Sequence, residues 1–277
     1  MKDAYRAPKA YRNTEFLNSP EGRTIRILSE FLEPQKRFRA HGVKDTVVFF
    51  GSARVLPRAE ASKRLKMVKA KTLRHNKLSD TAKKQLADAE VDLEMSNYYE
   101  DAAKLAKLLT EWAKGIGDGK RFVVCSGGGP GIMEAANRGA RQAGGMTIGL
   151  NISLPMEQYA NPYLTPDLNF EFHYFFMRKF WFMYLAKGLV MFPGGYGTID
   201  ELMEVLTLIQ TKKVVKPVPI VLYGKDYWNE VINFDSLLKY RMISGEDLEL
   251  FHFADTPEEA FKYLKNGLTK HYVNAKR

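Results

Sequence analysis

Three groups of residues in this chain carry types and spacings suited to chemistry. The first is Ser126-Gly-Gly-Gly-Pro-Gly131, which directly follows the apolar run Phe122–Cys125. The second is Pro193-Gly-Gly-Tyr-Gly-Thr198, which directly follows Leu189–Phe192. Both read as strand-to-helix turns. Glycines without a Cβ let backbone N–H groups approach an oxyanion, and a helix N-terminus adds partial positive charge. Pro130 suits the first position of the following helix, where its missing N–H costs nothing. The third group is a cation and a carboxylate, Arg178 and Glu201. Arg178 lies in an aromatic helix, and Glu201 lies just past the second glycine turn.

Neither glycine turn fits a dinucleotide or triphosphate fingerprint. A G-x-G-x-x-G frame starting at Gly127 meets Ile132 where glycine is required, and one starting at Gly195 meets Asp200. No G-x-x-x-x-G-K-[ST] occurs. The turns therefore point to a monophosphate, and away from NAD or ATP.

Each of these residues also has an ordinary explanation. Glu201 follows Thr198 at capping-box spacing, so it could serve only as a helix cap. Arg178 could simply extend its charged end to water from a sheet edge. Chain geometry nevertheless brings the two together. From Arg178 to the end of its helix is about 13 Å, and the strand and turn leading back span roughly 15–20 Å. Both residues should then share the carboxyl edge of the sheet, where α/β proteins bind ligands.

The elements that would position them alternate regularly. Strands are expected at 46–52, 122–125, 147–152, 189–192, 218–223 and 250–253. Helices are expected near 96–114, 132–143, 172–186, 199–212 and 227–239, with a last one from Pro257. This pattern predicts an α/β fold: a Rossmann-like, doubly wound parallel sheet with helices on both faces. Residues 1–44 read as an N-terminal helical arm punctuated by Pro20 and Pro34. Residues 45–277 read as the nucleotide-binding domain, with a basic helical insertion at about 54–90. A loop is expected through Pro155, Pro162 and Pro166. The cluster Phe175, Phe176, Phe180 and Trp181 has the spacing of a core-facing stripe. It is also compatible with an apolar pocket for a modified base.

Composition bounds the rest. The chain has 277 residues, of which 45% are hydrophobic, an ordinary globular value. Cys125 is the only cysteine, so no intrachain disulfide forms, and a small buried hydrophobe is the expected role. The N-terminal residues contain no apolar signal-like stretch, and the expected location is the cytoplasm. The most apolar stretch, Phe170–Phe192, is interrupted by charges and does not read as a membrane span. The five histidines are scattered, so neither a metal nor another cofactor is expected. Net charge is +10, and between Arg54 and Lys84 basic residues outnumber acidic ones eleven to two. A solvated helical face explains that run, and nucleic-acid binding through it is the less favoured alternative.

The sequence also resembles a known family. Met177-Arg-Lys179, followed by Pro193-Gly-Gly-Tyr-Gly-Thr-Ile-Asp-Glu201, is similar to the paired motif of the LOG family. These are cytokinin riboside 5′-monophosphate phosphoribohydrolases, often mislabelled lysine decarboxylases. Gly51-Ser52 and the loop containing Gly128, Gly129 and Gly131 resemble further family elements in the same order. The resemblance implies that Arg178 and Glu201 are catalytic. It implies that Lys179, Gly194, Gly195, Tyr196, Gly197, Thr198, Asp200 and Thr207 contact substrate, and Glu157 by a weaker match. It implies hydrolysis of the N-glycosidic bond of AMP or a cytokinin-type nucleotide, and a homodimer or higher oligomer. The competing readings are a non-catalytic nucleotide-sensing or nucleic-acid-binding relative and a pyridoxal-phosphate lysine decarboxylase. The latter finds no lysine that stands out as a Schiff base.

Overall fold

The computed structural model describes residues 7–72, 79–154 and 159–274. Short apolar runs become strands, and they form one seven-stranded parallel sheet in the order β4-β3-β2-β1-β5-β6-β7. The strands are β1 (Thr46–Phe50), β2 (Val123–Ser126), β3 (Thr147–Ile152), β4 (Asn169–Phe172), β5 (Ala186–Met191), β6 (Ile220–Tyr223) and β7 (His252–Ala254). The order reverses beside β1, so β2 and β5 both pair with it, with Val47 opposite Val124 and Val48 opposite Leu189. That reversal is the topological switch point, and it opens a crevice at the carboxyl ends of β1, β2 and β5. The doubly wound α/β fold expected from the sequence is the one that forms.

Period-2 side-chain alternation divides the core into two layers. Val48 and Phe50 pack with α6 (Phe175–Leu185), α7 (Tyr196–Gln210) and the two short helices α8 (Lys225–Val231) and α9 (Phe234–Lys239). Val47 and Phe49 pack with α4 (Asp80–Gly115), α5 (Ile132–Gln142) and α10 (Pro257–Leu268). Small residues let α4 and α5 approach closely: a Cβ on Gly139 would stand 2.0 Å from the Ala103 carbonyl oxygen. Helix α3 (Arg58–Thr72) lies antiparallel on α4, and its Arg64 and Lys69 pair with Asp92 and Glu90.

Before β1, the chain forms a short helix α1 (Thr14–Asn18) and then α2 (Arg23–Ala40). Pro34 does not punctuate this segment as expected, because it lies buried inside α2. A helical proline leaves the carbonyl four residues earlier without its donor. Here that carbonyl belongs to Glu30, and Trp181 Nε1 donates to it at 2.9 Å. The Glu30 carboxylate also accepts from the His173 and Tyr174 backbone N–H groups, capping the start of α6. One residue of α2 thus fixes the helix that carries Arg178.

Other expectations need correction. The helix foreseen at 96–114 begins at Asp80, where Ser79 caps it by accepting from Ala82 N–H. The loop foreseen before α6 contains β4, whose register places Phe170 opposite Leu150. As an edge strand it has a mixed burial pattern, which conceals it among the prolines. The segment at 227–239 divides into α8 and α9. The aromatic stripe is not core: Phe175, Phe176, Phe180 and Tyr184 are exposed, while Trp181 is buried. The sheet contacts only one side of α6, and the aromatic residues run around the helix. No helix among the described residues is long and apolar enough to cross a membrane.

Candidate active site

A cavity of about 640 Å³ opens at the switch point. The turn after β1 contributes Gly51, Ser52, Ala53 and Arg54, the turn after β2 contributes Gly127, and the turn after β5 contributes residues 193–195. Tyr196, Gly197, Thr198, Asp200 and Glu201 enter from α7, and Phe175 and Arg178 from α6.

Backbone hydrogen bonds lock the three turns together. Ser52 N–H donates to the Pro193 carbonyl at 3.0 Å, and the Ser52 carbonyl accepts from Ile132 N–H at 3.0 Å. Close approach explains the glycines here. A Cβ on Gly51 would meet Ile132 at 2.7 Å, and one on Gly194 would meet Thr198 Oγ1 at 2.2 Å. Gly195 and Gly197 differ, since a Cβ on either would point into open space. Helix α7 starts at Tyr196, with Gly195 as an N-cap that supplies no side-chain bond. Thr198 N–H is bonded to the Gly195 carbonyl. Among the described residues no side chain caps the amides of Tyr196 and Gly197, two residues that line the cavity, as an anion site requires.

This start corrects the reading of Glu201 as a cap. Thr198 is already inside the helix, so Glu201 occupies the second turn, buried at 6% exposure. No side chain among the described residues donates to its carboxylate. Burial pushes the carboxyl up to about 7, against the lowering pull of Lys179 and Arg178. At neutral pH the group stands between its acid and base forms, as general acid–base chemistry requires.

Arg178 is held rigidly. Its Nε donates to the Leu150 carbonyl of β3 at 2.7 Å, and the guanidinium lies over the Phe182 ring. Burial lowers its pKa, and the nearby Glu201 charge opposes that shift. Gly127 makes room for it, because a Cβ there would stand 2.6 Å from Arg178 Nη2. Arg178 and Glu201 line the same cavity without forming an ion pair, so both charges stay available to a ligand.

The remaining candidate residues separate into two sets. Gly51, Ser52, Gly194, Gly195, Tyr196, Gly197, Thr198 and Asp200 come together around Arg178 and Glu201. Gly128, Gly129 and Gly131 do not line the cavity. Asn161 Nδ2 donates to the carbonyls of Gly128 and Gly129, and a Cβ on Gly131 would stand 2.3 Å from the Ser52 carbonyl oxygen. Gly131 is the N-cap of α5, so Pro130 precedes the helix and is not its first residue.

Lys179 turns away to Asp200 at 2.7 Å and to Glu204. Burial works against its charge, but the two carboxylates outweigh it and raise its pKa. Thr207 lies well along α7, bonded to the Met203 carbonyl. Glu157 falls outside the described residues.

Several contributors were not read from the sequence. Tyr227 lines the cavity from α8, and its hydroxyl donates to the Gly194 carbonyl at 2.7 Å. Met95 of α4 and Met133 of α5 add apolar walls. Nothing local marks Tyr227 or Met95. Glu204 could have been found, since it lies four residues after Asp200 on the same helical face. Cys125 is buried, and desolvation raises its thiol pKa, as its expected packing role implies. Among the described residues, no three His, Cys, Asp or Glu side chains gather as metal ligands.

A family model described as "Possible lysine decarboxylase" matches residues 133–264. Among curated proteins, the chain is 31% identical over 87 residues to a probable cytokinin riboside 5′-monophosphate phosphoribohydrolase, LOGL6, of Oryza sativa. That match covers 31% of this chain and 34% of the relative. It is 28% identical over 146 residues to the cytokinin riboside 5′-monophosphate phosphoribohydrolase LOG3 of Arabidopsis thaliana, covering 52% of this chain and 66% of the relative. The chain thus spans about a third to two thirds of the relatives it matches here. Among solved structures, the Moco carrier protein of Chlamydomonas reinhardtii aligns with a TM-score of 0.47 at 18% identity. It covers 82% of this chain and 99% of that one.

Proposed function

Taking this chain as a relative of the LOG-type phosphoribohydrolases, we propose that it hydrolyses the N-glycosidic bond of a purine nucleoside 5′-monophosphate, AMP or a cytokinin-type nucleotide. The products are the free base and ribose 5-phosphate. One observation carries the reading: a buried carboxylate that receives no hydrogen-bond donor from the described residues lines the same cavity as a fixed guanidinium and the start of α7.

Each part has a task. The amides of Tyr196 and Gly197 at the start of α7 receive the 5′-phosphate, and the bare Gly195 and Gly197 leave room for its oxygens. This remote binding places the anomeric carbon. As the C1′–N9 bond lengthens, positive charge develops on the ribose. Ionised Glu201 stabilises it and takes a proton from the attacking water. The electron pair of the broken bond leaves with the base, and Arg178 stabilises the charge developing there. The base takes up a proton while Glu201 gives up the one it received, so that neutral free base and ionised Glu201 remain. The bond between Arg178 Nε and Leu150 removes reorganisation of the guanidinium from the barrier.

The test is chromatographic measurement of base released from a panel of nucleoside monophosphates. Adenine or an N6-substituted adenine should appear, and Glu201→Gln should reduce the rate by about 10³-fold. Wild-type kcat/KM should rise with pH through about 7, because the ionised carboxylate is the active form. A Glu201→Gln rate within a few-fold of wild type would exclude the mechanism. Tight AMP binding without any base release would favour a nucleotide sensor.

A further inference from the structure

The charged side chains lining the cavity are Arg54, Arg178, Asp200 and Glu201. Two of these are anionic when ionised, and a phosphate approaching the α7 amides would meet their repulsion. Of the other cations nearby, Arg178 is anchored on Leu150 and Phe182, where the proposed reaction directs its charge to the leaving base, and Lys179 is held by Asp200 and Glu204. Arg54 remains. Among the described residues, its guanidinium makes neither a hydrogen bond nor an ion pair.

Its position is not accidental to the loop. Ser52 Oγ accepts from the Arg54 N–H at 3.1 Å, which fixes the backbone where the side chain leaves. Ser52 itself joins the turns after β2 and β5, and buried Val55 anchors the next residue. Arg54 therefore leaves the chain two residues past the junction of the three turns, and it lines the cavity that Gly194, Gly195 and the start of α7 also line. In the sequence it was merely the first member of the basic run 54–84. The structure separates it from that run, whose Arg64 and Lys69 pair with α4.

Resting on the hydrolase reading of this site, we propose that Arg54 is a specificity-determining residue that receives the substrate's 5′-phosphate. It thereby selects nucleoside monophosphates over unphosphorylated nucleosides. A guanidinium offers parallel N–H donors that match phosphate oxygens in a bidentate pair. It also neutralises the anion beside Asp200 and Glu201. Because Arg54 is exposed, the contact weakens as salt increases.

The experiment is calorimetric titration of the full chain with ribose 5-phosphate and with ribose, for wild type, Arg54→Ala and Arg54→Lys. Base release from AMP is measured in parallel. Arg54→Ala should weaken ribose 5-phosphate binding by roughly 10- to 100-fold, and Arg54→Lys should restore part of the loss. Ribose binding should not distinguish the three proteins. In the AMP assay, the loss should fall mainly on KM.

Equal ribose 5-phosphate affinity in wild type and Arg54→Ala overturns the proposal, as does a wild type that does not bind it. Equal losses for ribose and ribose 5-phosphate also overturn it, since they indicate a structural role. If the phosphate-specific loss occurs but the wild type releases no base from AMP, the anion site stands and the hydrolase reading falls.

Discussion

The two glycine turns look alike as strings, yet they do different work. In Ser126–Gly131 the glycines are consumed by packing. Gly128 and Gly131 adopt positive φ of 76° and 69°, and Asn161 binds the carbonyls of Gly128 and Gly129. Ser126 Oγ donates to Asn137 Oδ1, which also accepts from Asn161, completing a buried polar network. In Pro193–Gly197, by contrast, Gly195 and Gly197 have neither positive φ nor a neighbour within Cβ reach. A glycine the fold needs is explained by its own surroundings. At the carboxyl edge of the sheet, a glycine left without such an explanation is where a ligand should be sought.

The contrast can be tested at single positions. The largest stability effect is expected at Gly131, where a side chain meets both positive φ and the Ser52 carbonyl. Gly131→Ala should cost about 3 kcal/mol or more, seen as a fall in Tm of roughly 6–10 °C. A smaller loss would mean that the first turn is more yielding than its geometry indicates.

Next comes the carboxylate beyond the open turn. Glu201 has its folded pKa raised from 4.5 to about 7. Its contribution to stability is therefore fully present below about pH 4.5 and is lost as pH rises through about 7. Glu201→Gln removes that dependence. Relative to wild type, its Tm should be higher at pH 8 than at pH 5, a gain of order 2 kcal/mol. Thermal melts of both proteins at the two pH values would check this, and parallel Tm values would contradict it.

The smallest effect is expected at Gly195. Gly195→Ala should change stability by less than about 0.5 kcal/mol, yet it should weaken AMP binding measurably in the same titration format. Tolerance of alanine in both stability and binding would remove the second turn's claim to the phosphate.

The legible parts of the chain were those that depend on neighbouring residues. Five consecutive buried residues, Thr46–Phe50, announce a central parallel strand because both faces must be apolar. Thr256-Pro257 announces the start of α10, where the threonine caps and the proline takes the first helical position. Legibility failed where a distant partner decided the outcome. Pro34 remains in a helix because Trp181 supplies a donor for the Glu30 carbonyl. β4 forms because β3 offers it an edge. Thr198 and Glu201 show capping-box spacing, but the packing of Gly194 against Thr198 starts the helix at Tyr196.

From its sequence alone, this protein was committed to a doubly wound parallel sheet. The same string delivers an arginine, a carboxylate and glycine turns to one sheet edge. Periodicity and backbone permissiveness are local properties, and a string of residues records them directly. Only the tertiary structure decided which glycine turn opens, that Lys179 faces Asp200 and Glu204, and that, among the described residues, Glu201 is buried without a donor and the Arg54 guanidinium has no partner. Those outcomes depend on which distant side chains fill the space around a group, and burial and charge neutralisation arise only once the chain has packed.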